Sequence, residues 1–462
     1  GNVVSPCAVG GGSFQAAALD GEDGQNQRNW ISADGKLLFF PSCGQLYMRE
    51  FDAEQTKLVS GPSFSGPRCA AVLIKSTADA AFFWTQTRLT ADDSNPASCA
   101  PSNTSFAEFD GDVYRYDIAS GALQCVTCVV TGINSDVYPG LLGGPTAVPS
   151  SIAVAEDGSR VYFRSANALT AGAPTPGNGT RNAYRVDVAS GDLRYIATGG
   201  GVGDMAIAGT SITPDGSAIV FRAKDPSLNP VGEGTDNGGK FQYYRYDDRD
   251  RSLVCVSCPP DGPAAVEDVP PKMLGEFTQV GANTTPLADD GDFVFKTTES
   301  LVGADQNTAG VGQSSLSGTD IYEWRDGKLL LITDGLTNWP PSEPPILNGV
   351  SPSGRDAFFT APVQYTHDAL DAYNRLYDAR IGGGFEFPPP PKPCPLEVCQ
   401  GTPKGAPEEQ PSGTSNFAGP GNGESTQAKK KSKKKAHRKK AHKKAHQKKR
   451  HNRANATRRT DR

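Results

Sequence analysis

Oxygen ligands, sulfurs and one block of cations are the parts of this 462-residue chain that could do chemistry. Three long connections share a pattern of Leu, then Asp, then Asn, then a Tyr further on. It reads Leu89…Asp92-Asp93-Ser94-Asn95…Asp112-Val113-Tyr114 and Leu301…Asp305-Gln306-Asn307…Asp320-Ile321-Tyr322. A weaker copy is Leu228…Asp236-Asn237…Tyr243. Side-chain oxygens two residues apart suit a hard cation such as calcium, with Asp92, Asp93, Asn95, Asp305 and Asn307 as its ligands. The EF-hand spacing is not present. An Asx-turn that merely shapes the loop is the plainer alternative. No other cofactor is implied.

Histidine limits the catalytic readings. Of five histidines, four (His437, His442, His446, His451) lie in the last stretch of chain, leaving His367 alone in the body. A Ser-His-Asp or Cys-His centre would rest on that one residue. No Gly-x-Ser-x-Gly elbow occurs, which argues against a hydrolase of the α/β type. A glycosidase needs only two carboxylates and survives this test, although nothing marks any two of the acids as a pair. The residues most suited to touching a ligand are Trp339, by stacking on a sugar, with Asp236, Asp305 and His367.

The ten cysteines are Cys7, Cys43, Cys69, Cys99, Cys125, Cys128, Cys255, Cys258, Cys394 and Cys399. An even number without a metal-finger histidine pattern indicates disulfides and an oxidising compartment. Cys125-Val-Thr-Cys128 and Cys255-Val-Ser-Cys258 end equivalent segments, so each is expected to close on itself. Four such sulfurs could hold zinc, but the two pairs lie two units apart. Cys394 and Cys399 are expected to form a separate clip. Partners for Cys43, Cys69 and Cys99 stay open.

These residues hang on a repeat. Each unit has an apolar pair, a small residue, Asp-Gly, an alternating run ending in Phe, a gap, a Tyr-rich run ending in Asp, a turn and a last apolar run. The copies begin at Trp30, Ala71, Ile152, Ser211, Pro286 and Gly349. Asp-Gly between alternating runs is a tight-hairpin signal, and alternation gives each strand one apolar face. Four antiparallel strands per unit, each unit burying its faces only against neighbours, is a propeller blade. The expected fold class is all-β, a six-bladed β-propeller with a disordered C-terminal tail. The chain opens on Gly1 without a signal peptide; either one is removed or sequence lies upstream, which would leave room for seven or more blades. Residues 1–27 are read as a segment able to close the ring, 28–387 as the propeller, 388–426 as a Pro/Gly-rich linker and 427–462 as a basic tail.

Thr213-Pro214-Asp215-Gly216 and Ser351-Pro352-Ser353-Gly354, with the "Y-x-x-D…G-x-L" segments that follow such turns, resemble the WD-like repeat of TolB-type β-propellers. The resemblance spans roughly residues 28–387. It implies a bacterial secreted or cell-surface propeller and says little of activity, because propellers host many functions. The second unit departs from it with Ala78-Asp79-Ala80, and the sixth with Ser353 in place of Asp.

Connection lengths point to one end of the fold. Turns between strands a and b, and between c and d, are short. The b–c gaps Gln86–Gly111, Ser165–Arg181, Lys224–Gln242 and Thr298–Thr319 are long, as are the d–a gaps Val129–Pro149 and Pro259–Thr284. In an up-and-down blade both long kinds emerge on the same face, a candidate binding face.

Residues 427–462 carry 18 Lys and Arg against one acid, Asp461, which leaves 28 bases and 50 acids, a net charge of −22, on residues 1–426. Lys433, Lys434, Lys435, Arg438, Lys439, Lys440, Lys443 and Lys444 form the densest block. Such a tail stays solvated and seeks polyanions. With a disulfide-bearing body, the expected partner is an anionic cell-wall polymer or an acidic lipid surface; nucleic acid is the lesser candidate. No apolar run approaches a membrane span. The expected function is extracellular, non-catalytic binding of a protein or glycan. The alternatives are a carbohydrate-active propeller enzyme using paired carboxylates and a structural module of a larger surface protein.

Overall fold

A computed structural model describes residues 30 to 383 except 33, 43–44, 62–70, 95–110, 138–150, 178–179, 200–205, 225–227, 229–235, 261–263, 271–285, 308–315, 340–342, 364 and 366–372. All of them belong to one compact unit, Gly1–Phe387. The N-terminal segment 1–27, Asn95, His367, the Cys394–Cys399 pair, the linker and the basic tail lie outside the described residues.

The described residues form an all-β body without an α-helix, and none of them makes a helix long and apolar enough to cross a membrane. Twenty-one strands make six antiparallel sheets. The first sheet holds β1 (Leu37–Ser42), β2 (Gln45–Glu50) and β3 (Gln55–Leu58). The second holds β4 (Val72–Ser76), β5 (Ala80–Thr85), β6 (Asp112–Asp117) and β7 (Leu123–Cys125). The third runs through β8 (Ile152–Val154), β9 (Arg160–Ser165), β10 (Arg181–Asp187) and β11 (Leu193–Gly199). The fourth runs through β12 (Ala206–Ile212), β13 (Ala218–Ala223), β14 (Gln242–Asp247) and β15 (Ser252–Cys255). The fifth has β16 (Phe293–Thr297), β17 (Asp320–Arg325) and β18 (Lys328–Leu331); the sixth has β19 (Ile346–Val350), β20 (Asp356–Ala361) and β21 (Arg375–Arg380). Within every sheet the strands pair in chain order. Single bridges, Ile31 to Leu38 and Leu287 to Phe293, mark a stub of a first strand in the first and fifth sheets.

Each sheet buries a face against the next. Phe39 and Met48 pack with Leu73 and Phe83 between the first and second sheets. Phe82 and Trp84 pack with Val154 and Phe163 between the second and third. Tyr162 meets Phe221 and Tyr244 between the third and fourth; Tyr243 meets Phe293 and Phe295 between the fourth and fifth; Ile321 meets Leu347 and Phe359 between the fifth and sixth. The first strands of neighbouring sheets lie side by side, β4 by β8, β8 by β12 and β16 by β19. Fully burying such side chains contributes about 1.5–3 kcal/mol each, so these five shared cores outweigh the strand hydrogen bonds, at about 1 kcal/mol net apiece. Among the described residues no such core joins the first sheet to the sixth.

The Asp-Gly turns also fasten sheet to sheet. Gly216 has φ +66°, and a Cβ there would stand 2.9 Å from the Ala155 Cβ and 3.0 Å from the Arg160 Cβ. Glycine is therefore needed both for the turn and for its seat against the third sheet. Tyr162 donates to the Gly216 carbonyl at 2.7 Å and Arg160 to the Asp215 carbonyl. Arg245 reaches Gly291 O at 3.0 Å, and Arg325 reaches Gly354 O at 2.6 Å. In the second sheet, where Gly is missing, the turn keeps the bond that the Asp-Gly turns make, Thr77 donating to Asp79 Oδ1 at 2.7 Å as Thr213 does to Asp215 Oδ1 at 2.8 Å.

Candidate functional site

The b–c and d–a connections leave the sheets at the end opposite these turns, as antiparallel pairing in chain order requires. Each long b–c loop is pinned at its root by the Tyr of the following strand. In the fifth sheet Tyr322 donates to Asp305 Oδ2 and accepts the Leu301 N–H at 3.2 Å. In the second, Tyr114 donates to Asp93 Oδ2 and accepts the Leu89 N–H at 3.2 Å. In the third, Tyr184 accepts the Leu169 N–H at 2.8 Å and donates to Asn167 O. In the fourth, Tyr244 accepts the Asn237 amide at 2.7 Å. The Leu…Asp…Tyr pattern is thus a loop anchor.

A second polar residue stands two places before each Tyr, on the same face of the strand. It is Asp112, Asn182, Gln242 and Asp320 in the second to fifth sheets. A hydroxyl from the neighbouring strand or its continuation donates to each: Thr127 to Asp112 at 2.6 Å, Thr198 to Asn182 at 2.6 Å, Ser257 to Gln242 at 2.6 Å and Thr333 to Asp320 at 2.5 Å. In the sequence only the two Asp-x-Tyr copies stand out; the polar-x-Tyr spacing is the signal that marks the other two. Burial raises Asp112 to about 7 against the donors Ser135 and Thr127. Burial likewise raises Asp305 to about 6, opposed by the Tyr322 hydroxyl, with Asp320 adding to the rise and the Asn307 N–H opposing it. Burial also holds Asp320 above the ordinary carboxylate range.

Gly335 lets the d–a loop close on this anchor. Its φ is +63°, and a Cβ there would lie 2.7 Å from the Asp305 Cα and 2.9 Å from the Ala304 carbonyl. Its own carbonyl accepts the Gln306 and Asn307 N–H groups at 2.7 and 3.0 Å.

The proposed ligand residues fare unequally. Asp305 and Asn307 are brought together with Asp320. Asp92 is exposed while Asp93 is buried and bonded to Tyr114, so these two do not face one centre. Asp236 is exposed and accepts the Gly238 N–H, an Asx-turn. Trp339 is not a surface stacking platform: it is 2% exposed, packed in the core shared by the fifth and sixth sheets. Its backbone N–H donates to Ser317 O at 2.7 Å. Trp84 is buried, its indole N–H donating to Val137 O at 3.1 Å. Trp324 is half-buried beneath the Arg245 guanidinium.

Cys125–Cys128 and Cys255–Cys258 are local disulfides. The Asp112 carboxylate lies within 4.8 Å of both sulfurs of the first pair, but sulfurs already bonded to each other are not thiolate ligands.

No family model matches the chain, and no curated protein matches it. Among solved structures it is similar to dipeptidyl peptidase 4 of Porphyromonas gingivalis: 12% identity and TM-score 0.42, over 76% of this chain and 44% of that one. The β-propeller domain of the Trilobed protease from Pyrococcus furiosus is similar at 10% identity and TM-score 0.34, over 68% and 69%. TolB from Acinetobacter baumannii follows at 16% identity and TM-score 0.25, over 68% and 56%. The chain thus spans less than half of the dipeptidyl peptidase.

Proposed function

We propose that this chain is a six-bladed, secreted β-propeller of bacterial cell-surface type that acts by binding. Its long-loop end takes a protein or a glycan, and its basic tail holds it to an anionic wall polymer or an acidic lipid surface. The observation that carries the reading is the anchoring of the loops. Four neighbouring sheets present long b–c loops at one end, each fixed at its root by a buried Tyr and a polar partner. Fixed roots with freely varying tips are how rigid scaffolds carry recognition loops.

Two experiments test it. Deleting residues 427–462 is expected to release the protein from envelope fractions, and raising salt is expected to release the full chain in the same way. Retention unchanged by either would refute the anchoring role. Exchanging residues 229–235 and 308–315 for Gly-Ser of equal length is expected to abolish capture on a glycan or surface-protein array without lowering the melting midpoint. Turnover of an arrayed glycan would instead favour the paired-carboxylate enzyme.

A further inference from the structure

The fifth sheet buries two carboxylates side by side with nothing basic to answer them. Asp305 is 6% exposed and Asp320 fully buried. Their side-chain partners are Tyr322, Thr333 and Asn307, and among the described residues no Lys or Arg is paired with either. Burying like charges without a counter-charge costs several kcal/mol, so something must neutralise them.

The hydrogen bonds show where. Both oxygens of Asp320 are taken, Oδ1 by Thr333 and Oδ2 by the Asn307 amide at 2.6 Å. Asp305 uses Oδ2 for Tyr322, while its Oδ1 is buried and accepts no hydrogen bond. The Asn307 amide nitrogen faces two acceptors, Asp320 Oδ2 and Thr337 O at 3.1 Å. Its orientation is thereby fixed, since flipping would set oxygen against oxygen. That leaves Asn307 Oδ1 buried and unmatched as well. Two orphaned acceptors, two residues apart on one loop, sit beside an uncompensated pair of acids. One added proton could satisfy only one of them.

We propose that Asp305 Oδ1 and Asn307 Oδ1 bind a hard divalent cation, with calcium the best fit because it tolerates irregular oxygen sets completed by carbonyls and water. Asp320 is a positioning residue that holds the Asn307 amide so its oxygen faces the ion. The third and fourth sheets place amides, Asn182 and Gln242, at the Asp320 position and carry no such deficit there. The site stands whatever the loop end binds.

The test uses the full chain, stripped with a chelator and kept in physiological salt so that diffuse binding to the acidic surface is screened. Terbium is the probe, excited through the Tyr322 ring. Calcium-displaceable terbium luminescence is expected, and its stoichiometry should fall by one in Asp305→Asn and in Asn307→Ala but not in the exposed control Asp236→Asn. Calcium alone should raise the melting midpoint of the wild-type chain, and that rise should shrink in both variants. Should one variant not fold, the other and the wild-type melting series still decide. No calcium-displaceable terbium in the wild type, or a stoichiometry unchanged in both variants, would overturn the site.

Discussion

The two ends of the stacked sheets handle acid in opposite ways. At the short-turn end buried carboxylates meet arginine. Asp248 of the fourth sheet takes Arg185, Arg194 and Arg160, all from the third. Asp247 takes Arg245 and Arg249, and Asp292 takes Arg325. At the long-loop end Asp305 and Asp320 meet hydroxyls and an amide. At the first end each of these carboxylates has an arginine, and Asp248 forms a seam that ties the fourth sheet to the third. The second is pinned in place but left electrostatically unfinished, which is what a surface waiting for a ligand or an ion requires.

Breaking the seam should cost most. Asp248→Ala leaves the 3%-exposed Arg185 without its carboxylate across the sheets, and stability is expected to drop by about 3 kcal/mol or more in a urea titration. A loss below 1 kcal/mol would mean that the seam is ornamental. The loop-end counterpart is steric. Gly335→Ala drives a Cβ into the Asp305 backbone and should cost about 2–3 kcal/mol. Melting of that variant should reveal whether the fifth-sheet anchor is as rigid as its hydrogen bonds indicate.

Acid titration separates Asp247 from Asp305 by sign, while burial raises Asp292 to about 6, like Asp305, despite its arginine. Asp247 is pulled down to about 2, chiefly by its bond to Arg249, with burial opposing and Arg245 helping. A lowered carboxylate stabilises the fold above its unfolded value near 4 and loses that contribution as pH falls through about 2. Asp247→Asn should therefore flatten the stability profile between about pH 4 and 2, by about 1–2 kcal/mol after allowance for solvent screening. A profile as steep as wild type would mean that Arg245 and Arg249 do not hold it down. The smallest effect is expected at Gly172 in the third-sheet loop, where a Cβ would meet nothing within 4 Å. Gly172→Ala should change the melting curve by no more than about 0.5 kcal/mol.

Much of this was legible in the sequence because it is local. The Asp-Gly turns, the alternating runs and the CxxC disulfides each lie within a few residues. The seam was not. Arg160 reaches Asp215 over 55 residues and Arg185 reaches Asp248 over 63, so no spacing inside one unit betrays them. The recurring Tyr-Arg at Arg115, Arg185 and Arg245 was the available signal. Trp339 misled for a different reason. A loop position suggests exposure, but the ring packs into the core shared by the fifth and sixth sheets. Asp305 and Asn307 were readable as oxygen donors, whereas their unmatched Oδ1 atoms needed the third dimension.

The grip of one sheet on the next runs in a single direction. Arg160, Arg245 and Arg325 each hold a turn that comes later in the chain. A polypeptide emerging from the ribosome would therefore always have the receiving arginine in place before its turn is made. Growth could proceed unit by unit, each finished sheet serving as the template on which its successor settles.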